Sequence, residues 1–110
     1  MEIRFLGMGG SGRTNCPTLY VTDRGTYIVQ GWETGTVGTV EIPHMLLGFL
    51  EPNTYLAATL LDTGRGTFTI TGRPVTDPET LQKLTFDKNE TAIEVPSKER
   101  TWFGGVQARR

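Results

Sequence analysis

Residues 18–31 read TLYVTDRGTYIVQG and residues 59–72 read TLLDTGRGTFTITG, and at a constant offset of 41 seven of the fourteen positions are identical. The identities are Thr18/Thr59, Leu19/Leu60, Thr22/Thr63, Arg24/Arg65, Gly25/Gly66, Thr26/Thr67 and Gly31/Gly72, with Tyr27/Phe68 and Val29/Ile70 conservative. Each copy is followed by a second shared phrase, Val40-Glu41-Ile42-Pro43 and Ile93-Glu94-Val95-Pro96. Self-similarity on this scale marks one supersecondary unit used twice. A single hairpin cannot bury both of its faces, so the two copies are expected to share one core.

At 110 residues the chain has room for one modest core. The repeats divide it into a single domain over 1–103, with repeat one at 1–50 and repeat two at 54–103, and a flexible tail at 104–110. Glu51-Pro52-Asn53 is the join. A hydrophobic share of 36% with 14 glycines suits short strands and tight turns better than long helices. The expected fold class is mainly β (small α+β): an antiparallel sheet or barrel from two hairpin-centred repeats, with short helices, arranged about a pseudo-twofold axis.

The strand signals follow the repeats. Ile3 and Phe5 alternate with polar neighbours. Thr18–Thr22 and Thr26–Gln30 flank Asp23-Arg24-Gly25, where glycine can supply a positive φ for a hairpin turn. Thr63-Gly64-Arg65-Gly66 holds the same place in the second copy. A strand over Val37–Ile42 is expected to stop at Pro43, two helical turns to follow over His44–Leu50, and Tyr55–Leu61 to be extended. The second repeat carries 12 extra residues between its hairpin and its Glu-Val-Pro phrase. Within them Thr76-Asp77-Pro78-Glu79 is a helix start, with Leu81 and Leu84 on one face. Thr91–Val95 is a strand expected to stop at Pro96. Trp102-Phe103 matches Phe49 and reads as a core anchor.

A net charge of −1 gives no global pull toward nucleic acid or an acidic membrane. One cysteine, Cys16, excludes an intrachain disulfide and a cysteine-rich metal site. No apolar run approaches the ~20 residues of a membrane span, and MEIRFLGMGG does not read as a signal peptide. The chain is therefore expected to be cytoplasmic, without membrane contact and without a cofactor.

Gly7-Met8-Gly9-Gly10-Ser11-Gly12 fits G-x-G-x-x-G, but the dinucleotide motif needs a helix next. Arg13-Thr14-Asn15-Cys16-Pro17 and a β-branched run follow instead, so the stretch reads as a loop. A nucleophilic Cys16 would need a base, and His44 is the only imidazole. No catalytic residue is assigned. The candidate binding residues are Arg24 and Arg65, repeated at one turn position, and Trp32 and Trp102, which would favour recognition if exposed.

Three resemblances add to this reading. Glu2 to Gly7 and Tyr27 to Gly35 resemble the opening strands of metallo-β-lactamase-fold hydrolases, but one histidine cannot supply the metal site that fold uses. Gly38 to Leu50, followed by Tyr55–Leu61 and Gly66–Ile70, is similar to swapped-hairpin transition-state regulators of the AbrB type. That similarity implies hairpin exchange and DNA binding through basic residues. Cys16-Pro17-Thr18-Leu19-Tyr20-Val21-Thr22-Asp23-Arg24-Gly25-Thr26-Tyr27-Ile28-Val29-Gln30-Gly31-Trp32 resembles a motif of small uncharacterised actinobacterial proteins. The likeness resumes at 74–100, as though residues 33–73 were an internal duplication. It implies a regulatory accessory role, since such genes tend to lie beside helix-turn-helix regulators.

The expected function is thus non-enzymatic. The chain reads as a regulatory or adaptor protein working through protein contacts, with a helix-turn-helix regulator as one partner. The alternative is a DNA-binding regulator of the swapped-hairpin type. Both a monomer and a homodimer are compatible with the sequence.

Overall fold

The computed structural model describes residues 1–9 and 17–101. It is mainly β, with nine antiparallel strands and two short helical segments among the described residues. In chain order the first strands are β1 (Ile3–Met8), β2 (Thr18–Thr22), β3 (Thr26–Glu33) and β4 (Thr39–Pro43). A 3-10 segment at His44–Phe49 leads to β5 (Thr54–Leu56), β6 (Leu60–Asp62), β7 (Thr67–Thr71) and β8 (Arg73–Pro74). The single-turn helix α1 (Pro78–Leu81) and the long strand β9 (Glu90–Glu99) complete the order.

The repeated words form hairpins β2–β3 and β6–β7, as expected. Gly25 and Gly66 both take positive φ, 73° and 90°, a conformation that L side chains rarely adopt. Each hairpin then pairs with the other repeat's Glu-x-Pro strand. β3 runs along β9 with Thr26 opposite Pro96 and Ile28 opposite Glu94. β7 runs along β4 with Thr67 opposite Pro43 and Thr69 opposite Glu41. The two registers are the same when the halves are exchanged.

The ends of the long strands return to their own repeat. Trp32 and Glu33 pair with Glu41 and Val40. At the matching positions, Arg73 and Pro74 pair with Glu94 and Ile93. A ring of ladders results: β3 to β9, β9 to β8, β8 through Gly72 to β7, β7 to β4, and β4 back to β3. Inside it lie five equivalent pairs, Leu19/Leu60, Tyr27/Phe68, Val29/Ile70, Val40/Ile93 and Ile42/Val95. Gly31 and Gly72 make the return possible. A Cβ at Gly31 would stand 2.7 Å from the Glu41 carbonyl, and one at Gly72 2.8 Å from the Glu94 carbonyl.

The halves differ outside the ring. Residues 75–86 lay Val75, Leu81, Leu84 and Phe86 over the outer face of the first half, against Ile28, Ala92 and Tyr20. The positions matching Ile28, Ala92 and Tyr20 are Thr69, Thr39 and Leu61, and no such cover lies over them among the described residues. Asp77 caps α1, its carboxylate accepting from the Thr80 N–H at 3.0 Å. The helix signature holds, but the helix is one turn.

Two expectations need correction. β9 does not stop at Pro96 but continues to Glu99. Pro96 is the last partner of β3, and the strand changes to β5 just beyond it; the missing N–H therefore interrupts no continuous ladder. Residues 55–61 are not one strand either. β5 ends at Leu56 and β6 begins at Leu60, because Ala57 N–H turns to the Pro96 carbonyl and Ala58 N–H to the Leu56 carbonyl. The two turns expected after Pro43 form as the 3-10 segment, which buries Leu46. The expected anchor Trp102-Phe103 lies outside the described residues.

Candidate functional site

The repeated arginines are held by the fold. Arg24 donates to both carboxylate oxygens of Glu94 at 2.9 and 3.0 Å, and the Thr26 hydroxyl donates to the same carboxylate at 2.6 Å. In the other half Arg65 donates to Glu41 at 2.7 Å, and the Thr67 hydroxyl donates to that carboxylate as well. In each turn the arginine's own N–H bonds the preceding threonine, Thr22 or Thr63, at 3.1 and 3.2 Å. This arrangement is a latch between hairpin and strand. The Thr67 hydroxyl, with Arg65, holds the Glu41 carboxyl below its ordinary range despite partial burial.

The other sequence candidates are dispersed. Trp32 is half-buried on β3. Trp102 and Cys16 lie outside the described residues, as does most of the glycine loop. His44 stacks on Phe68 with ring centroids 4.1 Å apart, and its Nε2 is 3.4 Å from Asp62. Its N–H bonds the Gly66 carbonyl at 2.9 Å, as Ser97 N–H bonds the Gly25 carbonyl at 3.0 Å. His44 thus braces the second turn. Among the described residues no three His, Cys, Asp or Glu side chains converge to hold a metal.

Two features were not anticipated from the sequence. One is the outer face of β1 and β2. Phe5 lies opposite Tyr20 and Met8 opposite Thr18. Tyr20 and Thr18 are two residues apart, so all four side chains share a face. Phe5 is 54% exposed and Met8 41%. Phe5 meets Tyr20 edge-on with centroids 6.1 Å apart. Burial, with the Glu90 carboxylate adding to it, pushes the Tyr20 hydroxyl above its ordinary pKa. The alternation of residues 2–6 signalled the strand but not which residues would stay uncovered.

The other feature is a buried polar pair beneath residues 84–90. Gln30 Nε2 donates to the Thr85 carbonyl at 2.8 Å and to Glu90 Oε1 at 3.0 Å. The Thr85 contact fixes the amide's orientation, because a carbonyl only accepts. Gln30 Oε1 and Glu90 Oε2 then have no partner among the described residues, although the residues are only 1% and 6% exposed.

A shallow cleft of about 280 Å³ lies between the β3–β4 connection and β8–β9. Thr34, Val37, Pro74, Thr91 and Ile93 line it, and Glu33 is the one charged residue among the described residues that do. No helix among the described residues is long and apolar enough to cross a membrane. Comparison of the chain with protein-family models, with curated proteins and with solved structures returns no match.

Proposed function

We propose that this chain is a non-catalytic regulatory or adaptor module of the cytoplasm, and that it binds a protein partner through the outer face of β1 and β2. The observation that carries this reading is the pairing of Phe5 and Met8, large, apolar and exposed, beside the ring of Tyr20. Aromatic and methionine side chains are enriched where proteins meet. The platform is built on paired strands, so little order is lost when it is covered. The resemblance to the small actinobacterial proteins points to a transcription regulator as the partner. Arg24 and Arg65, on which duplex binding would rest, are each engaged by a carboxylate, and this supports protein contact over DNA.

The test is affinity capture from the native host with the tagged full chain, beside Phe5→Glu and Met8→Glu variants of unchanged circular dichroism. A partner retained by the wild type and lost from both variants is expected. An identical set of captured proteins for all three would overturn the assignment of the face. Salt-dependent duplex binding that vanishes in Arg24→Ala/Arg65→Ala would overturn the class of partner.

A further inference from the structure

Among the described residues strand β1 is paired on one edge only, with β2. Glu2 N–H donates to Asp23 Oδ1 at 3.1 Å, and the Glu2 carbonyl accepts the Asp23 N–H at 3.1 Å. Both polar groups of Glu2 therefore face β2. In an antiparallel ladder the bonding direction alternates along the strand, which turns those of Ile3 outward, to an edge that no described strand occupies.

The other outer strands are less open to addition. β5 and β6 are three residues each, against six in β1. On β6, Asp62 Oδ1 takes the Gly64 N–H at 2.8 Å. That N–H matches the Asp23 N–H with which the first half holds its added strand. A short edge carrying a charge is a poor template for pairing.

Residues 1–5 run Met, Glu, Ile, Arg, Phe. Met1 and Ile3 pack toward Ile28, Leu84 and Ala92, and Phe5 joins them on that face beside Tyr20. Glu2 and Arg4 project from the opposite face. The segment is complementary to itself when reversed.

We propose that β1 pairs with β1 of a second copy of this chain, antiparallel about a twofold axis through Ile3. Ile3 then meets Ile3 of the other copy, Glu2 meets Arg4 twice over, and Met1 meets Phe5; the Met1 carbonyl accepts from Lys83 Nζ at 2.9 Å and keeps a second lone pair for the Phe5 N–H. Arg4 already donates to Glu51 at 2.6 Å, and a guanidinium with five donors serves both carboxylates. Pairing joins two outer platforms into one apolar face. The proposal does not rest on the partner reading, because it is measured on the purified chain alone.

The experiment is sedimentation equilibrium of the full chain across a concentration series. The wild type is expected to reach twice the 12.2 kDa of one chain. Arg4→Glu and Glu2→Arg each place like charges opposite one another, and each is expected to weaken the dimer about tenfold or more. The double variant Glu2→Arg/Arg4→Glu restores opposite charges and is expected to restore the dimer. Glu51→Gln removes only the internal partner of Arg4 and should leave the mass unchanged. A monomer at every concentration would overturn the proposal. So would a dimer indifferent to both single charge reversals, or one that Glu51→Gln weakens as much as Arg4→Glu.

Discussion

Arg24, in the turn of the first repeat, bonds both carboxylate oxygens of Glu94, 70 residues away in the second repeat. Arg65 of the second repeat bonds Glu41 of the first at 2.7 Å. The halves are thus clasped at two equivalent points, each joining one repeat's hairpin to the other repeat's strand.

The two members of the first clasp should contribute unequally. Glu94 is 9% exposed and also accepts from Thr26, so Glu94→Ala leaves two donors without their acceptor and is expected to cost about 2 kcal/mol. Arg24 is largely exposed and screened by water, so Arg24→Ala should cost only about 0.5–1 kcal/mol. The double variant should lose less than the sum of the singles, by roughly 0.5–1 kcal/mol. Urea unfolding of the three variants measures each value. Full additivity would show that the pair contributes nothing as a pair.

The Glu41 carboxyl gives a pH dependence of defined sign. The Thr67 hydroxyl and Arg65 lower its folded pKa below the unfolded value. The folded state therefore holds fewer protons than the unfolded chain between those two values. Its stabilisation is complete above the ordinary glutamate value, about 4.3, and is lost as pH falls through the lower folded value. Asp77, held low by the Thr80 hydroxyl and N–H, acts in the same direction. Thermal unfolding from pH 6 to pH 2 should show a shallower acid decline in Glu41→Gln than in the wild type. Parallel curves would remove Glu41 from the acid response.

The orphaned oxygens of Gln30 and Glu90 predict that an amide serves better than a carboxylate at position 90. In Glu90→Gln the new side-chain oxygen can keep the bonds from Gln30 Nε2 and the Asp87 N–H, and the new N–H₂ can donate to Gln30 Oε1. Satisfying a buried acceptor is worth about 1–3 kcal/mol. Glu90→Gln should raise the unfolding midpoint, whereas Glu90→Ala should lower it by stranding the Gln30 amide. A lower midpoint for Glu90→Gln would mean that the carboxylate's second oxygen has a partner in solution.

The members of this clasp recur in the sequence, Thr22, Arg24, Thr26 and Glu94 as Thr63, Arg65, Thr67 and Glu41, but the repeated arginines read as candidate binding residues, not as ties to a carboxylate. The crossing was not legible either. Repeated words show that two units are alike, not which hairpin lies on which strand, and Val40 and Ile93 satisfy the alternation in either arrangement. Pro96 misled for a related reason. A proline ends a strand only where its missing N–H is needed by the neighbour, and β9 changes neighbour there. The exposure of Phe5 depends on how far residues 75–86 reach across the sheet, and no local pattern carries that distance. Gln30 looked like any polar strand residue until its burial set it against Glu90.

The crossed pairing makes a prediction about the chain as a whole. The join between the halves passes through Glu51-Pro52-Asn53, where Pro52 and Asn53 are exposed. Tyr27 ties this join to the first hairpin: its hydroxyl accepts the Glu51 N–H at 2.9 Å and lies 2.6 Å from Thr54 Oγ1. Thr54 in turn donates to the Glu51 carbonyl, so Tyr27 donates to Thr54. Phe68, the matching residue, has no hydroxyl and serves no join. A protease site inserted between Pro52 and Asn53, cut under native conditions, severs the backbone but none of the β3·β9 or β7·β4 ladders. The two pieces should elute together at the volume of the uncut protein and keep its circular dichroism, separating only in denaturant. Pieces that separate on the column without denaturant would mean that each hairpin can close on its own Glu-x-Pro strand, and the ring would then be two folding units side by side.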